Sequence, residues 1–269
     1  MSAALAHVYV PPPDHPEDDG RPDGAMSFLD HLEELRRRIV RACLAIGGGM
    51  LVAVLFLDRI VAFVLAPAQR ALPPDVHLVY THPGEGFGFK IEVAMLAGAI
   101  FAAPLVVYQL WLFIAPALYA NEKKLAIPFV LFGSAGAIGG AFFSHYVLFT
   151  SMLTFLASFH QPGALLFMPQ LDDVWRMYVM MALGMAVVFQ IPTVVFFLAK
   201  MRVVSARWLW RQFRYAILAI FIIAAAITPS TDPWNQIVFA VPMVALYLLS
   251  IVIAWAVNRN QKSPNQSEI

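Results

Sequence analysis

The chain has 269 residues, of which 60% are hydrophobic and 13% are charged, and its formal net charge is +1. Soluble domains are typically about 45–50% apolar and about 25% charged, so this composition predicts a membrane protein. The near-zero net charge excludes a broad electrostatic surface for nucleic acid. The single cysteine, Cys43, excludes an internal disulfide framework.

Residues 1–26 are predicted to form a disordered tail. Five prolines and five acidic residues crowd this stretch, which cannot bury enough apolar surface to order itself. It has neither the basic start nor the apolar core of a secretory signal, and Met26 would also serve as an initiator. We divide the chain into this tail, a transmembrane domain over residues 27–257 and a flexible tail over residues 258–269.

A charged, helix-forming segment, His31–Arg38 (HLEELRRR), leads without a break into the first apolar run. Two interpretations of Glu34 within it stay open. One is an i,i+4 ion pair with Arg38, which would contribute about 0.2–0.5 kcal/mol. In the other, Glu34 reads a cationic group from outside the chain, because an orientation signal alone would need only the bases.

Six apolar runs are predicted to be transmembrane helices, because a helix crosses the roughly 30 Å hydrocarbon core with about 20 apolar residues. The fifth run has only 13 residues. Either the bilayer must become thinner around it, or the side chains of Arg211 and Arg214 must extend along the helix to reach the aqueous interface. This short span would be either a functional weak point or a packing compromise. The runs are Ile39–Leu57, Ile91–Ala115, Leu125–Leu148, Tyr178–Ala199, Tyr215–Ile227 and Ile237–Val257.

The predicted fold class is an all-α polytopic membrane protein with both termini in the cytoplasm. This orientation places 14 of the 18 lysines and arginines on the cytoplasmic side, as the positive-inside rule requires. In the first outer connection, Arg59–Leu72 predicts an interfacial amphipathic helix that is interrupted at Pro67. No repeat relates the first three spans to the last three, which removes the usual sign of an alternating-access transporter.

A second acid at the cytoplasmic interface is Glu122, in the turn Phe113–Lys124 (FIAPALYANEKK). Its structural interpretation is a carboxylate favoured by the dipole at the N-terminus of the third span. Its functional interpretation is that Glu34 and Glu122 converge on one cationic ligand.

Several further residues lie within or beside the spans. Gln190 is a mid-span amide that either bonds a neighbouring helix, contributing about 0.6–2 kcal/mol, or contacts a ligand. Gly136 and Gly140 predict a close-packing face. Asp232, in the last outer turn, is expected to cap the sixth span. Prolines inside four spans predict bent helices and hence a curved wall; they are Pro104, Pro128, Pro192 and Pro242.

The chain offers no catalytic constellation, so we expect neither an enzyme nor a cofactor or metal site. Ser134 and His145 lie on one predicted helix about 16 Å apart, too far for a nucleophile and its base. There is no phosphate-binding loop of the GxxxxGK[ST] type.

Three stretches resemble the TatC family, the polytopic subunit of the twin-arginine protein translocase. They are HLEELRRR, APLVVYQLWLFIAPALYANEKK from Ala103 to Lys124, and TPSTDPWNQIVFAVPM from Thr228 to Met243. The resemblance extends from Met26 to Val257 and implies a six-helix wall with a concave face in the bacterial cytoplasmic membrane. It also implies a function: binding signal peptides with two consecutive arginines and helping to move folded proteins across the membrane with the proton-motive force.

The resemblance further implies partners and roles for individual residues. Glu34 and Glu122 match the acids that bind the paired arginines, and Thr228 and Gln236 match a polar patch where the single-span subunits TatA and TatB dock. Membrane lipids and both hetero- and homo-oligomeric assembly are implied as well. The remaining matched positions are Arg36, Phe113 and Gln190 toward the signal peptide, and Pro67 and Asp232 as positions important to the family.

The chain departs from the family pattern at two places. Many members have a glutamate where this chain has Gln190, so no mid-membrane negative charge is available here. The last outer turn is one residue longer than in some relatives, which loosens the match of Asp232.

A solute transporter and a membrane enzyme are the two alternatives to a signal-peptide receptor. A solute or ion transporter would need convergent intramembrane charges, broken helices and internal symmetry. A membrane enzyme would need a metal cluster or a nucleophile–base pair. The motifs favour the receptor.

Overall fold

The computed structural model describes residues 28–73, 76–114, 126–159, 168–228 and 233–260. Within these ranges the protein is all-α, as predicted, and the one pairing of extended backbone is a parallel bridge between Val79 and Gln170. The predicted tails, residues 1–26 and 258–269, lie outside the described residues except for the end of the last helix.

The described part of the chain consists of eleven α-helices and one π-helical segment, Ser144–Phe149, which joins the fifth helix to the sixth. In chain order the α-helices are α1 Phe28–Leu55, α2 Leu57–Ala71, α3 Glu85–Phe101, α4 Ala103–Ile114, α5 Ala126–Phe143, α6 Thr150–Ala157, α7 Leu171–Val188, α8 Ile191–Lys200, α9 Ala206–Arg211, α10 Phe213–Ile227 and α11 Pro233–Asn260.

The first helix confirms that the charged segment and the first span are one element, since α1 runs from Phe28 to Leu55 without a break. It packs along α3 and α4. The backbones of α1 and α3 meet at glycines, because a Cβ on Gly49 would collide with the Gly98 carbonyl oxygen. Small residues at such a crossing allow the close contacts that hold helices together where lipid removes the hydrophobic drive.

Two of the four prolines follow breaks in the spans, as predicted. The pair α3–α4 is bent by 56° just before Pro104, and α7 gives way to α8 just before Pro192. Each proline lacks the N–H that would bond the carbonyl four residues back, so the helix opens there. The other two are not followed by breaks: Pro242 lies inside the continuous α11, and Pro128 is the third described residue of α5.

The fifth helix packs on α7 through the predicted small-residue face. A Cβ on Gly140 would collide with the Met185 backbone, and one on Gly136 would press on the Phe189 carbonyl oxygen. The prediction of a close-packing face is therefore confirmed. Beyond this contact, α5 continues through the π-helical segment into α6, so the helix of the third span is longer than predicted.

The prediction that the outer amphipathic helix is interrupted at Pro67 was wrong. Pro67 lies inside α2, which continues to Ala71. Val64 and Ala68 belong to the main buried core, and Pro67 is buried beside them. This packing compensates for the single backbone hydrogen bond that a proline removes.

The spans are arranged in a row in which α1, α3–α4, α5, α7–α8, α11 and α10 each contact the next. The main core is formed by side chains of α2, α3, the π-helical segment, α6, α7, α10 and α11, and its fully buried residues include Phe149, Met181, Met185 and Phe239. Many large apolar side chains outside this core are exposed, as expected for a protein whose surroundings are lipid.

Five of the six predicted spans coincide with helices that are long and apolar enough to cross a membrane, counting the bent pair α3–α4 as one. The sixth is α10, whose 15 residues give about 22 Å of helix, so the short fifth span is confirmed as a short apolar helix. The count of six spans stays a prediction. The four unbent runs are His31–Leu55, Ala126–Ala157, Leu171–Lys200 and Pro233–Arg259.

We expect Gly140→Ala to lower the stability of the folded protein, because the new methyl group has no room against the Met185 backbone. Forced overpacking costs roughly 1–3 kcal/mol. Thermal unfolding of the purified protein in detergent measures the change.

Gly139→Ala is the matched control on the same helix. A Cβ there would meet only the Phe189 ring, at 3.9 Å, so we expect an unchanged or higher melting temperature, since alanine is the better helix former. Equal losses in the two variants would contradict a special packing role for Gly140.

Candidate functional site

The carboxylate of Glu34 is held on one side only. Its Oε1 accepts a hydrogen bond from Arg38 Nη2 at 2.8 Å, and the two side chains are only 15% and 19% exposed. The predicted i,i+4 pair is therefore confirmed. The second oxygen, Oε2, is buried and has no hydrogen-bond partner among the described residues, as is true of Arg38 Nε.

The neighbouring acid lies in a different environment. Glu33 pairs with Arg37 at 3.4 Å, and both side chains are about two-thirds exposed, at 65% and 64%. Such a solvated pair contributes little and is screened by salt. Arg36 is also exposed. Of the two consecutive acids, only Glu34 is held in a partly desolvated position.

Phe113 joins the end of α4 to the start of α1. Its ring stacks on the His31 ring with 4.6 Å between centroids and 25° between planes. One turn earlier on α4, Gln109 carries a second buried oxygen, Oε1, that has no partner within the described ranges. The stack therefore joins α1 to α4, and each of these two helices carries one buried acceptor oxygen without a partner in the part of the chain that the structure describes.

Two predicted site residues, Glu122 and Asp232, lie outside the described residues. The described residues on either side of Glu122 end at Ile114 of α4 and resume at Ala126 of α5, and these two helices pack on each other. Its convergence with Glu34 on one ligand stays a prediction.

Gln190 lies at the break between α7 and α8 and bonds to backbone. Its Nε2 donates to the Gly133 carbonyl oxygen of α5 at 2.9 Å and to the Ala186 carbonyl oxygen at 3.3 Å. The Gln190 backbone N–H bonds the Val187 oxygen instead of the Ala186 oxygen, so the side chain supplies a donor that the break has withdrawn. The structure supports a bond between helices here, and a signal-peptide contact stays a prediction.

Of the two predicted polar residues around the last outer turn, Gln236 bonds α11 to α10 and Thr228 bonds within α10. Thr228 is buried and its hydroxyl donates to the Ala224 oxygen at 2.7 Å. Gln236 donates from Nε2 to the Phe221 oxygen at 3.0 Å, so it bridges from α11 to α10. These bonds are internal to the hairpin, and docking of a partner at this patch stays a prediction.

On the opposite face from Glu34, an acid that sequence reasoning missed ties two connections together. Glu85 accepts hydrogen bonds from the backbone N–H groups of Thr81 and His82, and from that of Asp172 at the start of α7. The Val79–Gln170 bridge lies in the same two segments. Their separation along the chain explains the omission, because no local pattern links residue 85 to residue 172. His31 belongs to the segment HLEELRRR, but its ring partner Phe113 lies on another helix, so only the fold reveals the stack.

Comparison with known proteins places these features in one family. A family model described as "Sec-independent protein translocase protein (TatC)" matches residues 30–242. A protein of that name from Koribacter versatilis is 42% identical over 248 residues, covering 90% of each chain. Another from Helicobacter pylori is 38% identical over 234 residues, covering 85% of this chain and 88% of its own length.

A solved structure agrees with the sequence matches. The "Crystal Structure of Twin Arginine Translocase Receptor- TatC" is similar to this fold with a TM-score of 0.73 at 29% sequence identity. The match covers 85% of this chain and 100% of that one, so the described architecture is shared throughout rather than over one segment.

We expect Gln190→Leu to destabilise the protein by roughly 0.6–2 kcal/mol, because it removes the bond between the α7–α8 break and α5 and leaves the Ala186 oxygen without its side-chain donor. Thermal unfolding in detergent provides the measurement. Gln69→Leu, at an exposed position of α2, is the control and should change the melting temperature little. An unchanged melting temperature for Gln190→Leu would contradict the bridging role.

Proposed function

The chain belongs to the TatC family of Sec-independent protein translocase proteins, and we propose that it is the subunit that receives the paired arginines of a signal peptide. It is a multi-pass membrane protein with a transport role, and it acts in a complex with other Tat subunits. The proposal concerns which residues recognise the cargo, on which side, and what partners they meet.

The observation that carries the proposal is the buried Oε2 of Glu34, which has no hydrogen-bond partner among the described residues. A buried acceptor without a donor costs roughly 1–3 kcal/mol, and more when it is charged. A guanidinium group offers five N–H donors in a planar fork that matches a carboxylate. Because Arg38 binds only Oε1, the opposite oxygen is left to accept from an incoming arginine while Arg38 keeps the carboxylate oriented.

Two glutamates would distinguish a pair of arginines from a single one. A charge-assisted hydrogen bond contributes about 1.5–3 kcal/mol, so contacts to Glu34 and Glu122 together could reach about 3–6 kcal/mol, or some 10²–10⁴ in affinity. Interfacial water lowers this figure. Gln109 Oε1 provides another acceptor at the α1–α4 junction, and Phe113 keeps that junction closed through its stack on His31. In this proposal the exposed Arg36 flanks the site, and the apolar part of the signal lies along the wall toward Gln190.

The proposed orientation puts both termini in the cytoplasm of a bacterial inner membrane, with transport driven by the proton-motive force. Contacts between connections support this arrangement. The start of α1 touches the end of α4 through His31 and Phe113, and the α8–α9 turn lies against the end of α11. On the opposite face, the connection before α3 is bonded to the start of α7. Each contact pairs segments that the orientation assigns to the same side.

The hairpin α10–α11 is the proposed docking surface for single-span subunits of the TatA and TatB type. Its outward side chains are apolar: Leu218 and Ile222 on α10 are 60% and 61% exposed, and Val241 on α11 is 61% exposed. Gln236 bonds α11 to α10 and so holds the hairpin that presents this surface, and Thr228 lies buried at the end of α10. Asp232, between α10 and α11 in the sequence, and Pro67, in α2, are proposed to contribute to function by supporting the helices on the outer side of the membrane.

We expect Glu34→Gln to weaken binding of a twin-arginine signal peptide about 10-fold or more, because the amide removes the charge and one acceptor oxygen. The measurement is the dissociation constant of a fluorescent peptide for the full chain in nanodiscs. A peptide with two lysines in place of the arginines should bind weakly to both proteins, since ammonium is a point charge.

Glu33→Gln is the matched control, because it removes the same charge one residue away from an exposed position. Its affinity should stay within about twofold of the unaltered chain, as for other solvated ion pairs. Equal losses of affinity in Glu33→Gln and Glu34→Gln would mean that the peptide responds to general surface charge and not to a site at Glu34. Full affinity in Glu34→Gln would overturn the proposal.

A photocrosslinking amino acid at position 222 should capture a TatA- or TatB-type subunit in membranes, because Ile222 lies on the proposed docking surface. The control is position 131 on α5, where Leu131 is 64% exposed but lies away from the hairpin. Equal capture at both positions, or none at position 222, would contradict a specific docking surface on α10.

A further inference from the structure

A basic recess of about 750 Å³ lies between the α8–α9 turn and the end of α11. Three arginines line it, Arg202, Arg207 and Arg259, together with Trp255, Asn258 and the backbone around Ser205. None of its lining residues, all within the described part of the chain, is acidic. The recess is separate from Glu34 and from the hairpin turn, and the proposed function does not use it.

The walls of this basic recess are fixed by packing. Ala199 of α8, Leu209 of α9 and Ala254 of α11 form one buried cluster. Tyr247 of α11 donates its hydroxyl hydrogen bond to the Leu209 carbonyl oxygen at 2.9 Å. The recess is therefore held open between three packed helices, and its arginines start from defined backbone positions.

Arg202 occupies a backbone conformation that an arginine rarely adopts, with φ of 60°. Its N–H bonds the Ala199 oxygen at 3.0 Å, and the Val203 N–H bonds the Leu198 oxygen at 2.9 Å, which closes the end of α8. Glycine is the usual residue at such a helix end, because it has no Cβ to crowd. The chain instead carries a cation at this position, and that cation lines the recess.

An apolar stripe leads from the recess along α11. Leu248, Val252, Trp255 and Arg259 follow at helical spacing, and the three apolar members are 38%, 58% and 55% exposed. Arg259 lies over the Trp255 ring, 5.4 Å from its centroid. From Leu248 to Arg259 the helix rises about 16 Å, close to the roughly 15 Å depth of one leaflet.

We propose that the basic recess binds the phosphate head group of an anionic phospholipid, with an acyl chain lying along the α11 stripe. Basic recesses between helices at the membrane surface suit such head groups, each arginine contributing through charge and through planar hydrogen bonding to phosphate. A free anion would bind the arginines, but contacts with the apolar stripe would add nothing to its affinity. An acidic protein segment would bind the arginines from the water. It would not need an apolar stripe that is as long as one leaflet is deep.

The test uses the full chain in a neutral detergent, with lipid adducts counted by native mass spectrometry as phosphatidylglycerol is titrated. We expect each arginine near the head group to raise the affinity for the lipid about fivefold. Arg202→Gly should therefore weaken binding about fivefold, and the double variant Arg202→Gly/Arg259→Gln about 25-fold. Arg202→Gly relieves an unfavourable backbone conformation, so its melting temperature without added lipid should be unchanged or higher.

Arg211→Gln is the matched control, because Arg211 is an exposed arginine of α9 that does not line the recess. It should leave phosphatidylglycerol affinity within about twofold. Phosphatidylcholine should bind the unaltered chain much more weakly than phosphatidylglycerol. Equal loss in the control, equal affinity for the two lipids, or displacement of the bound lipid by inorganic phosphate at equal concentration would each overturn the proposal. An acidic peptide that displaces the lipid at equal concentration would also overturn it, in favour of a protein partner.

Discussion

A backbone carbonyl released inside an apolar environment must find another donor, and this constraint decides where the spans can break. Hydrocarbon offers no water, so every unbonded group costs several kcal/mol, on the order of 4–8 in the most apolar reference solvents. The break before Pro192 is covered by the Gln190 amide, which also reaches across to α5. Gly136 and Gly140 allow α5 to lie close enough for that bond. One amide and two glycines thus make a broken helix tolerable in mid-membrane.

Three buried hydroxyls follow the same rule on a smaller scale, whereas Ser144 Oγ is buried with no hydrogen-bond partner among the described residues. Ser134, Thr228 and Ser250 each donate to the carbonyl four residues earlier on their own helix. A hydroxyl that bonds back in this way needs no partner on another helix and leaves the helix surface effectively apolar. The polar side chains that do reach another element, such as Gln190 and Gln236, lie at the places where one helix must be fixed to the next.

Local pattern predicted the helices well because their causes are local. The length of an apolar run, a proline and the spacing of two glycines act within a few turns, and the α-helical class, the break before Pro192 and the Gly136–Gly140 face were all predicted from them. The prolines at positions 67, 128 and 242 were the exceptions, since none of them is followed by a break. At Pro67 the neighbours Val64 and Ala68 bury the helix and outweigh the lost bond. A tertiary contact overrode a local rule there.

The candidate site was predictable only in part, because it depends on pairs that are distant in sequence. Glu34 and its bond to Arg38 follow from i,i+4 spacing. The stack of His31 on Phe113 and the bond from the Asp172 N–H to Glu85 do not, since the partners lie on other elements. The Gln109 oxygen, which has no partner among the described residues, likewise depends on packing that no local pattern indicates. Family resemblance supplied Phe113 as a position but not its ring partner. Glu122 lies outside the described residues, and its convergence with Glu34 stays a prediction from the sequence and the family resemblance.

The brevity of α10 has a mechanical consequence for the surrounding bilayer. Its roughly 22 Å of helix falls about 8 Å short of the hydrocarbon thickness, and each ångström of mismatch costs a fraction of a kcal/mol. The lipids around α10 must therefore form a compressed collar. A second short helix placed alongside would share that collar and shorten its total perimeter, so membrane elasticity itself would draw the two together. Association would then be favoured before any side chain has met its partner.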